Sequence, residues 1–277
     1  MVYAADISRS NPACVLFVID QSGSMDEKLD SSSKADQVAS ILNRTLAELI
    51  IRCSREEGVR DYFDVGVIGY GHTGPSNALS GPLSSRLIHS LSAIEASPLR
   101  VEDRMKKMSD GAGGLIEVPS KFPVWFSAKA DGGTPMCDAL TLAAGVLVDW
   151  CDAHPDSFPP VVIHLTDGGS TDGDPEPISN QVRQISTNDG QVILMNVYVS
   201  AKGARSIAFP ETDESLNDPF AELLFRMSST LVASMARAAI DLGYQDATEK
   251  SRAFMFNAKT EDIVSFFEIG TRPSNLR

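Results

Sequence analysis

The chain has 277 residues, 43% hydrophobic and 22% charged, an ordinary globular balance with ample material for one large core. Lys and Arg number 24 against 37 Asp and Glu, and the net charge of −13 is spread along the sequence, which disfavours a sequence-independent nucleic-acid surface and favours divalent cations and basic partner surfaces. The first apolar run, residues 14–19, has no basic segment before it and ends at Asp20, so it fits neither a signal peptide nor a membrane span, and a cytoplasmic location is expected.

That run, Cys-Val-Leu-Phe-Val-Ile, reads as a buried parallel strand that delivers Asp20 to a loop at its carboxyl end. Beyond the loop, Val38, Ile41, Leu42, Leu46, Leu49, Ile50 and Cys53 recur at helical spacing and predict an amphipathic helix. Residues 63–70 read as a second buried strand. Residues 72–129 carry Pro75, Pro82, Pro98, Pro119, Pro123 and a Gly-rich stretch at 111–114, and read as an elaborated connection with edge strands near 79–83 and 124–128.

Leu140, Ala143, Ala144, Leu147 and Trp150 mark another helix, and residues 161–166 a third buried strand that ends at Asp167. Ile178, Val182 and Ile185 suggest a short helix before a fourth strand at 191–200. Residues 218–241, opened by the cap and first-turn pair Asp218-Pro219, read as one long helix. A short strand at 254–256 and a helix at 261–268 close the pattern. The alternation predicts an α/β, doubly wound, mostly parallel central sheet with helices on both faces and an antiparallel edge strand, whose ligand site lies at the carboxyl ends of the strands. The expected organisation is a single domain over 1–277, with a core at about 13–200, the inserted connection at about 72–129 and a helix-rich extension at about 201–277.

Cys14, Cys53, Cys137 and Cys151 fall in predicted strands and helices without a C-x-x-C pair. They read as free buried thiols in a reducing compartment, which argues against a disulfide framework or a zinc site.

Three loops carry the chemistry. The first, Asp20-Gln21-Ser22-Gly23-Ser24, places a carboxylate and two hydroxyls on one side of a tight turn, with Gly23 letting the backbone curl. The second, Asp131-Gly132-Gly133-Thr134-Pro135-Met136, adds the hydroxyl of Thr134 just before a predicted helix. The third, Thr166-Asp167-Gly168-Gly169, adds a second carboxylate from the same predicted sheet edge. Oxygen-only donors point to Mg²⁺, Mn²⁺ or Ca²⁺ rather than zinc.

Asp20-x-Ser22-x-Ser24, Gly132-Gly133-Thr134-Pro135 and Thr166-Asp167-Gly168, in this order, resemble the metal-ion-dependent adhesion site of the von Willebrand factor A (VWA) family, over roughly residues 13–200. The resemblance implies a VWA fold whose apical site binds one divalent cation, Mg²⁺ first, with Mn²⁺ or Ca²⁺ as alternatives. Ser22 and Ser24 would bind the ion directly, Asp20 and Asp167 directly or through water, and Thr134 according to the state of the domain. One position would stay open for an Asp or Glu of a protein partner, which makes the chain an interaction module or scaffold and not an enzyme. Bacterial intracellular members, including those in tellurium-resistance-associated operons with phosphatase and kinase neighbours, are the nearest comparison in general character.

Each motif also has a plainer reading. Asp20, Ser22 and Ser24 suit an Asx-type turn and a helix cap, and Thr134 an N-cap before Pro135. Asp26 and Asp138 read as solvent-facing or helix-start carboxylates. The acidic run Asp172-Gly173-Asp174-Pro175-Glu176 places Arg183 where an EF-hand needs Glu, and reads as a solvated loop. Gly69-Tyr70-Gly71-His72-Thr73-Gly74 matches G-x-G-x-x-G after a strand, yet Pro75-Ser76-Asn77 follows in place of a helix. His72, His89, His154 and His164 form no ligand pair. The rival class is a phosphatase-like enzyme with Asp20 as nucleophile, or a regulatory subunit of a kinase, phosphatase or stress-response system. Aspartate-nucleophile phosphatases place a second acid two residues on, where this chain has Ser22.

Overall fold

A computed structural model describes residues 3–29, 32–109, 114–199 and 205–272. In chain order its principal elements are β1 (Ala13–Asp20), α1 (Lys34–Cys53), β2 (Phe63–Tyr70), β3 (Ser76–Asn77), β4 (Ile88–Ser90), α2 (Leu91–Glu95), β5 (Arg100–Ser109) and β6 (Leu115–Val124). There follow α3 (Met136–Ala153), β7 (Val161–Thr166), α4 (Glu176–Val182), β8 (Ile193–Tyr198), β9 (Ile207–Ala208), α5 (Pro219–Met227), α6 (Ala233–Asp241), β10 (Phe254–Phe256) and α7 (Thr260–Thr271).

The central sheet runs β9-β10-β8-β7-β1-β2-β3, with β4 also paired to β2. The pairs β10-β8, β8-β7, β7-β1 and β1-β2 are parallel, and β3, β4 and β9 are antiparallel edges. This is the doubly wound architecture expected from the sequence. The continuous apolar run of β1 is explained by its central place, because alternate residues serve opposite faces. Val15, Phe17 and Ile19 pack with α1, α6 and α7, whereas Leu16 and Val18 pack with α3 and α5. Each such side chain removed from water contributes ~1.5–3 kcal/mol, so the sheet is a rigid platform for the loops at its carboxyl end.

Three local expectations are corrected. The long helix foreseen over 218–241 is two helices, α5 and α6, because residues between them leave the helix to serve the sheet. Ser229 donates its N–H to Leu194 O and accepts from Ala253 N, and Leu231 N donates to Ser251 O. The strand foreseen at 79–83 is a single bridge, Leu79 to Phe126, followed by a short 3₁₀ turn. The strand foreseen at 124–128 is likewise that bridge, just after β6 ends at Val124. Residues 100–109 and 115–124 instead form the antiparallel ribbon β5-β6, off the central sheet, and the Gly-rich stretch between them lies mostly outside the described residues. The ribbon's Pro119 and Pro123 are tolerated because each strand has a partner on one side only. The G-x-G-x-x-G stretch passes directly from β2 to β3, with no helix to receive a phosphate, as expected.

Candidate functional site

The parallel register puts the ends of β1 and β7 side by side, with Ile19 opposite Leu165, so Asp20 and Asp167 leave neighbouring strands at the same edge. Asp20 is 1% exposed. Its Oδ1 accepts the backbone N–H of Ser22 at 2.8 Å and its Oδ2 accepts the Thr166 hydroxyl at 2.6 Å. The Ser22 and Ser24 hydroxyls lie 3.1 Å apart, and Ser24 Oγ donates to Asp167 Oδ1 at 2.6 Å. Four of the five residues singled out by the loop motifs are thus joined in one chain of hydrogen-bond contacts.

The fifth, Thr134, arrives on a loop stitched to the first by the backbone. Gly23 N donates to Gly132 O, Asp131 N to Gln21 O and His72 N to Asp131 O. Gly132 sits at φ +75° with its Cα against His72, a place where a Cβ would collide with backbone, so the close approach of these loops requires glycine. Thr134 is buried, and the cap residue of α3 is Pro135 rather than Thr134. The capping work falls to Asp172, whose two carboxylate oxygens accept the N–H groups of Cys137 and Asp138. Thr171 holds Thr134 from the same side, its hydroxyl accepting Thr134 N and its own N–H donating to Thr134 O. Thr171 thus fixes Thr134, and the acidic run that follows is an exposed loop leading into α4, as expected, whose first residue, Asp172, also caps α3.

Lys34 is the principal residue that the sequence reading missed. It is the first residue of α1, 2% exposed, and its ammonium donates to Asp167 Oδ2 at 2.7 Å and Glu27 Oε2 at 2.8 Å. A cation at a helix N-terminus opposes the helix dipole, so only these carboxylates account for its position. Burial alone would lower its pKa, but the hydrogen bonds it donates to Asp167 and Glu27, with their charges, hold it above the ordinary lysine value. Lysine at the start of a helix that faces a carboxylate loop was the available signal.

Asp167 and Glu27 share this one ammonium, and Asp20 beside them has no cation of its own, its oxygens being held by the Ser22 N–H and the Thr166 hydroxyl. Burial raises the Asp20 carboxyl to about 6 against the hydrogen bonds from Ser22 and Thr166, and the charge of Asp167 adds to the rise. An acid so placed is relieved by a nearby cation. Among the described residues no group of three or more His, Cys, Asp or Glu stands ready to hold a metal. The donor set here is two carboxylates and three hydroxyls, which suits a hard, oxygen-seeking cation and not a soft one. Ser24, Gly132 and Gly133 are exposed, so this edge is open to solvent. Phe220 of α5 lies beside it, its ring against the backbone of Gly169 and 47% exposed.

Behind the site, Tyr70 hydroxyl and His164 Nε2 are 2.7 Å apart, and His164 Nδ1 is 2.7 Å from Asn196 Oδ1. The network assigns a neutral imidazole that donates from Nδ1 and accepts at Nε2. Burial lowers its pKa to about 4 despite the Asn196 bond.

In fold the chain is similar to the pilus adhesin SpaC from Lactobacillus rhamnosus GG, with a TM-score of 0.50 and 12% identity over 97% of this chain and 31% of the adhesin. It is also matched to the ArnB paralog VWA2 from Sulfolobus acidocaldarius at 18% identity, over 70% of this chain and 36% of that one, with a TM-score of 0.34. The vWF domain of the type V pili tip protein Mfa5 from Porphyromonas gingivalis matches at 14% identity, over 83% of this chain and 50% of that one, with a TM-score of 0.31. At such identities the likeness is one of fold. The chain spans about a third of the length of the adhesin. No protein-family model and no curated protein matches it. Among the described residues no helix is long and apolar enough to cross a membrane.

Proposed function

We propose that this chain is a VWA-type protein-interaction module, with no enzymatic activity of its own, that recognises a partner carboxylate through a divalent cation at the β1-β7 edge. The observation that carries the reading is the continuous array Asp20-Ser22-Ser24-Asp167 with Thr134 clamped beside it. Ser22, Ser24 and Thr134 would offer hydroxyl oxygens to Mg²⁺, Mn²⁺ or Ca²⁺, with Asp20 and Asp167 compensating its charge. When bound, the ion supplies an electrophilic centre for a partner's Asp or Glu.

Lys34 shapes that site from behind. It neutralises part of the charge of Asp167 and occupies its Oδ2, which leaves the ion with fewer anionic neighbours and a stronger pull on an incoming carboxylate. Phe220 would add apolar contact next to the charged one. Against a nucleophilic role for Asp20 stand the Ser22 N–H and the Thr166 hydroxyl on its two oxygens, and the serine where a general acid is needed. A reducing, cytoplasmic setting belongs to the same reading and is supported by four unpaired thiols, three of them buried.

Calorimetric titration with Mg²⁺ and Mn²⁺ tests the metal, and capture of partner proteins with and without chelator tests the interaction. Saturable binding that Asp20→Ala abolishes, together with chelator-sensitive capture, is the expected result. Equal binding by wild type and Asp20→Ala, or capture indifferent to chelator, would overturn the reading.

A further inference from the structure

At the opposite end of the sheet, where β8 begins, a cavity of about 440 Å³ lies between α4, α6 and the segment that joins α5 to α6. Two arginines line it. Arg183 Nη1 donates to Ser228 O at 3.1 Å, and Arg252 Nη1 donates to the same carbonyl at 2.8 Å. Two guanidinium groups converging on one neutral oxygen repel each other, and a chain with 24 basic against 37 acidic residues has no shortage of carboxylates to separate them. Yet among the described residues neither arginine forms an ion pair. Glu176 is engaged by Arg226, and Glu249 stands exposed at the cavity without pairing to either arginine.

A second observation is independent of the first. Arg183 Nε is buried and has no hydrogen-bond partner among the described residues, although its Nη2 reaches Asn180. A buried N–H of a charged group left unmade is costly, and guanidinium is the donor whose fork matches an oxyanion. The remaining lining mixes an apolar wall, which includes Val192, Ile193 and Leu231, with polar groups and the exposed Glu249. Ser229, Thr230 and Ser234 bring hydroxyls, and α6 begins at the cavity with no side-chain cap on its first turn. Burial and the neighbouring Arg252 depress the pKa of Arg183, and the charge of Glu176, itself engaged by Arg226, offsets this only in part.

We propose that this cavity is a binding site for an oxyanion, a phosphate or carboxylate group of a small molecule, gripped by Arg183 and Arg252. The site is separate from the carboxylate-and-hydroxyl edge and does not depend on a metal there. It would give the module a small-molecule input at the end of the sheet remote from the partner face.

The test is calorimetric titration of the full chain at constant ionic strength with inorganic phosphate and, separately, with succinate. Wild type is expected to bind at least one of them saturably with Kd below ~1 mM, a modest affinity for a pair of charge-assisted contacts. Phosphate alone would name a phosphate ester as ligand, succinate alone a carboxylate, and both an unselective oxyanion grip. Arg252→Gln and Arg183→Gln should each weaken binding ~10-fold or more, while Arg226→Gln, which removes an arginine already paired with Glu176, should leave it unchanged. Because Arg252 also supports the backbone at Ser228, amide shifts of Ala233 and Ser234 in the wild-type protein on phosphate or succinate addition supply a reading that needs no variant. Absence of saturable binding by either anion, equal binding by the Arg183 and Arg252 variants, or shifts that avoid these amides would overturn the proposal.

Discussion

The two ends of the central sheet are electrostatic opposites built by different means. At the carboxyl end, Asp167 and Glu27 share a single ammonium beside the buried Asp20, and three loops are locked together by backbone hydrogen bonds. At the other end, two guanidinium groups share a single carbonyl. One end has negative charge in excess of its internal cation, and the other has two guanidinium groups that, among the described residues, form no ion pair. In a chain of net charge −13 the second arrangement stands against the overall field, whereas the first runs with it. The contrast teaches that unbalanced local charge, more than a cleft, marks where this molecule expects something from outside.

The largest expected effect breaks the first end. Asp20→Ala should lower Mg²⁺ or Mn²⁺ affinity by ~100-fold or more, read by calorimetry, since even supporting residues of metal sites cost 10–100-fold. Next, Lys34→Met should act in two directions. It leaves Asp167 buried without its cation, so the protein without added metal should lose ~3 kcal/mol of stability in urea unfolding. Its metal affinity should nonetheless rise ~10-fold, because a competing positive charge has gone. A fall in affinity would mean that Lys34 only holds the loop in place.

Acid separates two buried groups on the same side of the sheet. The Asp20 carboxyl has a folded pKa near 6 against about 3.8 unfolded, so the folded state takes up its proton first and gains stability as pH falls between these values. The His164 imidazole has a folded pKa near 4 against about 6.5 unfolded, so the unfolded state takes up its proton first and stability is lost as pH falls through that window. Each change is worth ~3 kcal/mol, and the two nearly cancel in the wild type. Asp20→Asn should therefore expose a loss of ~3 kcal/mol between pH 6 and 4, measured by urea unfolding at each pH. Metal affinity should also fall by up to ~10-fold per pH unit below 6, because protons then compete for Asp20.

The juxtaposition of the three candidate loops was legible because each is marked by a motif local in sequence. The spacing of Asp20, Ser22 and Ser24 and the glycines before Thr134 and after Asp167 announce loops, and the apolar runs before Asp20 and Asp167 announce buried strands. Lys34 was missed because its contact with Asp167 spans 133 positions, and its place at the start of a helix gives no hint of which carboxylate it meets. The capping role of Asp172 was not legible for the same reason, since the helix it caps begins 36 residues earlier at Met136 (172 − 136). The long helix was misread because Leu231 and Met235 keep the helical rhythm across a break that only the backbone bonds of Ser229 to its neighbours in space enforce. The arginine pair lies in two segments that mean nothing apart.

The smallest predicted effect concerns the rim. Phe220→Ala should weaken capture of a carboxylate-presenting partner by ~5–10-fold without changing metal affinity, an apolar increment of ~1 kcal/mol beside the charged contact. An equal loss of metal affinity would place Phe220 in the support of the loops instead.

The most direct measurement is an electron paramagnetic resonance titration of Mn²⁺ into wild type, Asp20→Ala and Ser24→Ala at pH 7.5. One saturable site in the wild type, competed by Mg²⁺ and lost in both variants, is the result that the Asp20-Ser22-Ser24-Thr134-Asp167 array requires. Mn²⁺ bound equally by all three proteins, or by none, would contradict it.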